Sequence, residues 1–287
     1  MEIKTVAVIG GGLMGRQIAL NSAIYPYEVY LVDNNPAVLE AVRQWAEEYL
    51  AGRIAKGRMT AEQVEGIKSR FHVVESMEEA MKNADLVIEA VVEREDVKHA
   101  VLKQAAELAP KGCIIGTNSS RMVSSLFKAD VPDASKLLNI HYFNPALVMK
   151  LVEVVRNDET SDETVEAVFA FSRATGKTPI LVNKEIDGFV VNRVLSAIYK
   201  ESRWLVEEGY CSYQDLDIAC ENGLGHPMGP FRLNDLTGID LSYDIMNRSY
   251  QATGVKPIGF DQVKEFYDKG WYGKKTGRGY YDYTEKK

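Results

Sequence analysis

Two groups of residues in this chain have types and spacing suited to chemistry. The first is Gly10-Gly11-Gly12-Leu13-Met14-Gly15, which follows the apolar, β-branched run Val6–Ile9 directly and leads into a helix-compatible stretch at 17–20. A second strand-like run, Glu28–Val32, then ends at Asp33. Gly10 suits a tight turn, Gly12 lets a pyrophosphate approach the backbone, and Gly15 lets helix and strand pack closely. Leu13 and Met14 fall where the helix begins and its free N–H groups face phosphates. Asp33 lies about 20 residues past the loop, where a carboxylate accepts from both ribose hydroxyls of an adenosine. Its charge repels a 2′-phosphate, and Asn34-Asn35-Pro36 offers no arginine to hold one. The pattern predicts an NAD site.

The second group is His141 and Glu153. Of four histidines, His72, His99, His141 and His226, only His141 ends an apolar strand-like run, Leu137–Ile140. Strand C-termini in α/β sheets line the ligand crevice. Glu153 stands between apolar neighbours in Leu151–Val155, where an acid needs a reason. A turn at Asn144-Pro145 between the two runs lets them pair and bring Glu153 beside His141. A carboxylate there orients the ring and stabilises the imidazolium, the arrangement an acid–base catalyst needs. The plain alternative is a structural histidine and a glutamate on a half-exposed strand face.

These residues need a sheet to hold them. Strand-like runs recur at Phe71–Val74, Leu86–Val92, Cys113–Gly116, Leu137–Ile140, Lys150–Val155 and Thr178–Val182. Helical spacing separates them at Pro36–Lys56, Thr60–Ser69, Asp96–Ala109 and Asp162–Thr175. This alternation predicts an α/β, Rossmann-type, mostly parallel sheet. Beyond Asp187 only helical patterns follow, at Phe189–Glu207, Asp215–Glu221 and Leu233–Met246. The boundary is expected near Asn183–Gly188, giving an NAD-binding domain over 1–185 and an all-helical domain over 186–287.

The 287 residues carry a net charge of −7 and are 46% hydrophobic and 26% charged. That balance gives no support for nucleic-acid binding. Cys113, Cys211 and Cys220 are odd in number and lack metal-ligand spacing, so reduced thiols and no metal are expected. The first residues, Met-Glu-Ile-Lys, enter a strand at once and leave no room for a leader, and no apolar run approaches the ~20 residues of a membrane span. A cytoplasmic protein with no membrane partner is the expectation.

The run His141-Tyr142-Phe143-Asn144-Pro145, with Met149–Val155 after it, resembles the signature segment of the short-chain L-3-hydroxyacyl-CoA dehydrogenases. The resemblance covers the whole chain. It includes Gly10–Gly15, Asp85–Ala90, Asp187–Arg193, His226–Phe231 and Lys274–Tyr281. It implies an oxidoreductase that interconverts 3-ketoacyl-CoA of the acetoacetyl-CoA type with 3-hydroxybutyryl-CoA-type thioesters, as in fatty acid metabolism and butyrate formation. His141 then takes the proton from the C3 hydroxyl as hydride leaves C3 for the nicotinamide, and Glu153 balances its charge. Ser119 and Asn192 correspond to the family's polar groups around the reacting carbonyl and nicotinamide. Glu93, Lys98, Asn144 and Lys275 match positions that contact the cofactor.

An acyl-CoA partner carries phosphates that want Lys or Arg. Arg53, Lys56 and Arg58 form the basic segment, and Lys56 falls where the family has a CoA-contacting lysine. Tyr49 replaces a family serine. Arg121 and Leu147 also depart from the family pattern: Arg121 suits either a surface role or an anionic group on the substrate, and Leu147 reshapes the acyl pocket. The helical domain of the family implies a homodimer, for which Phe189, Val190, Val194, Leu195, Ile198, Leu205 and Val206 offer an apolar stripe. Two other readings remain: a dehydrogenase of a free 3-hydroxy acid, and a catalytically silent structural relative.

Overall fold

The computed structural model describes residues 2–284, and the chain divides into two compact units, Met1–Val190 and Val191–Lys287. The first unit opens with β1 (Thr5–Ile9), α1 (Leu13–Ile24), β2 (Glu28–Val32), α2 (Pro36–Ala55), α3 (Ala61–Lys68) and β3 (Phe71–Val74). It continues with α4 (Met77–Met81), β4 (Leu86–Glu89), α5 (Glu95–Leu108) and β5 (Ile114–Thr117). It closes with β6 (Leu137–Tyr142), β7 (Leu151–Arg156), α6 (Asp162–Ala174) and β8 (Thr178–Val182).

The eight strands form one sheet in the order β3-β2-β1-β4-β5-β6-β7-β8. Every pairing is parallel except β6 with β7, which is antiparallel. The order reverses beside β1, so a crevice opens past its C-terminal end, where Ile9 leads into the glycine loop. Strand residues alternate between faces. Val6 and Val8 join one core with Ile18, Leu20 and Leu31, whereas Ala7 and Ile9 join another with Val87, Leu102 and Ile115. Burial on both faces is why these strands read as unbroken apolar runs.

Helix starts follow local sequence. Asn35 accepts from the Ala37 N–H at 3.0 Å ahead of Pro36, and Thr60 with Gln63 makes a reciprocal capping box. Helix α1 differs, because its N-cap is Gly12 and no side chain caps it. Its first-turn N–H groups are left for another acceptor.

The second unit contains α7 (Val191–Glu207), α8 (Tyr213–Gly223), α9 (Pro230–Thr237), α10 (Ile239–Thr253) and α11 (Phe260–Asp268). Its core holds Leu216, Phe231, Ile239, Met246, Phe260, Val263 and Tyr280. Asp217 accepts from the Phe231 and Arg232 N–H groups at the start of α9, and Asp235 accepts from those of Tyr280 and Tyr281.

Two expected helices change. The single helix over Leu233–Met246 is two, broken at Gly238, whose φ of 112° no helix admits. Helix α7 begins at Val191, not at Phe189, whose φ is +47°. Phe189 is buried in the first unit with Val155 and Val182, so it leaves the apolar stripe read along that helix.

Candidate active site

The glycine loop has the geometry of a dinucleotide cradle. Gly10 has φ +106°, and a Cβ there would lie 2.7 Å from the Ala90 carbonyl oxygen. A Cβ at Gly15 would lie 1.8 Å from the Gly10 carbonyl oxygen, so bare backbone is required where α1 crosses the loop. Gly12 is the opposite case, since a Cβ there meets nothing within 4 Å. That open space lies at the uncapped start of α1, where a pyrophosphate fits. Asp33 accepts the Gly11 N–H at 2.8 Å on one oxygen and the Asn35 N–H at 2.9 Å on the other. Each oxygen keeps lone-pair capacity for a ribose hydroxyl. Leu13 and Met14 form the first turn of α1.

His141 and Glu153 face each other across the β6–β7 ladder. His141 Nδ1 lies 2.8 Å from Glu153 Oε2, and both residues are buried. Glu153 Oε1 accepts the Val190 N–H at 3.0 Å. The imidazole also packs beside Phe143 and Phe189, with centroid distances of 4.5 and 5.5 Å. A carboxylate placed in this way fixes the orientation of the ring and engages Nδ1, leaving Nε2 outside that contact.

A second buried network holds Ser119. Lys98 is 1% exposed and its Nζ lies 2.7 and 2.9 Å from the two oxygens of the fully buried Glu89. Glu93 Oε2 also reaches Lys98, at 3.2 Å, while Glu93 Oε1 accepts from the Ser119 hydroxyl. Thr117 Oγ1 donates to Glu89 at 2.6 Å. Asn118 Oδ1 accepts the Tyr142 N–H at 2.9 Å, which ties the loop bearing Ser119 to the strand bearing His141.

The comparisons with known proteins agree along the whole chain. Residues 5–186 match the family model of the 3-hydroxyacyl-CoA dehydrogenase NAD binding domain, and residues 188–283 match that of its C-terminal domain. The chain belongs to the 3-hydroxyacyl-CoA dehydrogenase family. A probable 3-hydroxybutyryl-CoA dehydrogenase of Bacillus subtilis is 36% identical, with 100% of this chain and 99% of that protein aligned. The mitochondrial hydroxyacyl-coenzyme A dehydrogenase of Homo sapiens is 34% identical over 98% of this chain and 91% of its own length. The crystal structure of (S)-3-hydroxybutyryl-CoA dehydrogenase from Ralstonia eutropha superposes with a TM-score of 0.89 at 33% identity, covering 99% of this chain and 100% of that one. The protein is thus an NAD-dependent 3-hydroxyacyl-CoA dehydrogenase.

In this dehydrogenase the remaining sequence candidates fall in several places. Asn144 is exposed just past β6. Lys56 is exposed at the C-cap of α2, and Tyr49 stacks on Trp45 at 5.8 Å. Leu147 packs partly against the core, its N–H on Gln17 Oε1. Arg121 aims Nε and Nη2 at the Asp187 carboxylate, both at 3.2 Å. In the second unit, Asn192 sits in the first turn of α7, and Lys275 pairs with Asp240 at 2.6 Å. Lys98 is not a surface charge, since its pairing with Glu89 draws it into the interior. Glu89 itself went unread, although an acid ending the apolar run Leu86–Ile88 gives the same signal as Glu153. Phe143, Phe189 and the Val190 N–H were also missed.

Proposed function

We propose that this dehydrogenase works on short acyl chains, interconverting acetoacetyl-CoA and (S)-3-hydroxybutyryl-CoA, with His141 as the acid–base group. The observation that supports the role of His141 is its buried 2.8 Å contact with Glu153. With Nδ1–H donated to Glu153, Nε2 carries the lone pair that takes the C3 hydroxyl proton in oxidation. In reduction the imidazolium returns it to the keto oxygen. Glu153 balances that charge, with its other oxygen held by the Val190 N–H. NAD, when bound, supplies the hydride acceptor or donor. Ser119 and Asn192 are neutral hydrogen-bonders that orient an oxygen without titrating.

The glycine loop, Asp33, Glu93, Lys98, Asn144 and Lys275 serve the cofactor in this reading, and Lys56 serves a CoA phosphate. Arg121 is committed to Asp187, which disfavours a free carboxylate substrate. Free thiols at Cys113, Cys211 and Cys220 support a cytoplasmic location, and no described helix is long and apolar enough to cross a membrane. The protein acts as a homodimer through its helical unit, where Val194, Ile218, Leu236 and Leu241 are exposed. A stable monomer in sedimentation at micromolar concentration would contradict that assembly.

The deciding assay is NADH oxidation with acetoacetyl-CoA beside free acetoacetate at matched concentrations. Turnover of the thioester alone is expected. Turnover of the free acid would overturn the CoA reading.

A further inference from the structure

The segment that leaves β8 touches both members of the buried His141–Glu153 pair in the first unit. Phe189 is the one non-glycine residue among those described with positive φ, at +47°, and it follows Gly188 at +74°. A bulky aromatic residue adopts that conformation only when its surroundings impose it. Two contacts do so here. The Phe189 side chain is 1% exposed, packed with Val155 and Val182, and its ring lies 5.5 Å from that of His141. The next residue then aims its N–H at Glu153 Oε1 at 3.0 Å. Ahead of both, Asp187 pairs with Arg121, whose own N–H lies 3.3 Å from Ser119 Oγ. An extended or helical Phe189 would turn either the ring or the Val190 N–H away from the pair.

We propose that Phe189 is a positioning residue for the His141–Glu153 pair: its ring packs beside the imidazole, and its left-handed backbone delivers the Val190 N–H to Glu153. This rests on the reading of His141 as the acid–base group. Phe189 exchanges no proton and acts through the pair alone.

The test uses the full-length protein and two variants. Phe189→Leu keeps an apolar side chain on the same strained backbone, and Phe189→Gly removes the ring and relieves the strain. Each is assayed for acetoacetyl-CoA reduction with kcat and KM determined separately, and with NADH affinity and Tm measured alongside. A misplaced general acid costs about tenfold or more in kcat, and that fall is expected in both variants with KM and NADH affinity unchanged. Wild-type kcat in both variants would overturn the proposal. So would a lower Tm with an unchanged kcat in the folded fraction, which assigns Phe189 to packing alone. His141→Gln separates the two failures. If it retains full turnover, the acid–base reading falls and this proposal with it. If it is inactive while the Phe189 variants behave as wild type, only this proposal falls.

Discussion

His141 and Glu153 are opposite partners in the one antiparallel pairing of an otherwise parallel sheet. The direction of that pairing makes the contact possible. Antiparallel strands need only a short connection, whereas parallel ones need a crossover of a dozen residues or more. The connection Phe143–Lys150 returns the chain in time for Glu153 to meet a histidine that is still inside the ladder.

Replacing Glu153 with Gln tests what the carboxylate contributes. The amide retains the size and an acceptor, but carries no charge to balance an imidazolium. We expect kcat to fall by about a hundredfold, at the lower end of what acid–base catalysis supplies, with the affinity for NADH unchanged. Steady-state kinetics and fluorescence titration of NADH give the two numbers. Undiminished kcat would remove Glu153 from the mechanism.

Two glycines of the cradle should respond to alanine in opposite ways. Gly12→Ala places its methyl in open space, so urea unfolding should match wild type while NADH affinity drops. Gly15→Ala forces a Cβ to within 1.8 Å of the Gly10 carbonyl, so α1 must shift. Overpacking of this kind costs about 1–3 kcal/mol or more, visible as a lower urea midpoint before any binding is measured. Equal stability in the two variants would contradict the division of labour within the loop.

The sequence shows this division only in part. Strands β1, β4 and β6 were legible because burial on both faces leaves unbroken apolar runs, and His141 and Glu153 stood out as polar interruptions of such runs. Glu89 carried the same mark, but its partner Lys98 lies in α5, across a connection that local spacing does not register. Phe189 read as helix because Phe189-Val190-Val191 continues the apolar spacing of α7. Its backbone is set instead by contacts with β6 and β7, distant in sequence. The break at Gly238 was hidden for a similar reason, since apolar residues flank it at helical intervals on both sides.

Lys98→Met removes the only cation that the described contacts give to buried Glu89. The change keeps the length and apolar stem of the side chain but leaves the carboxylate uncompensated. Breaking a buried pair from one side costs about 3–5 kcal/mol, so a large fall in the urea midpoint is expected. The double variant Lys98→Met with Glu89→Gln should recover much of it. A single variant as stable as wild type would mean that the Lys98–Glu89 pair does not hold the fold together.

Lys177 gives a pH dependence of definite sign. Its Nζ donates to the Ala146 and Met149 carbonyls in the turn between β6 and β7, and burial lowers its pKa from 10.5. Between the lowered value and 10.5 the unfolded chain binds more protons than the folded one. Stability from this group therefore rises with pH across that window, and its desolvation penalty is fully present below it. A neutral amine still has two N–H groups for the two carbonyls, so the turn survives deprotonation. Lys177→Met lacks this linkage. The stability of wild type relative to the variant, from urea unfolding, should increase as pH climbs through the window towards 10.5. A constant difference would place the Lys177 ammonium in water rather than in the turn.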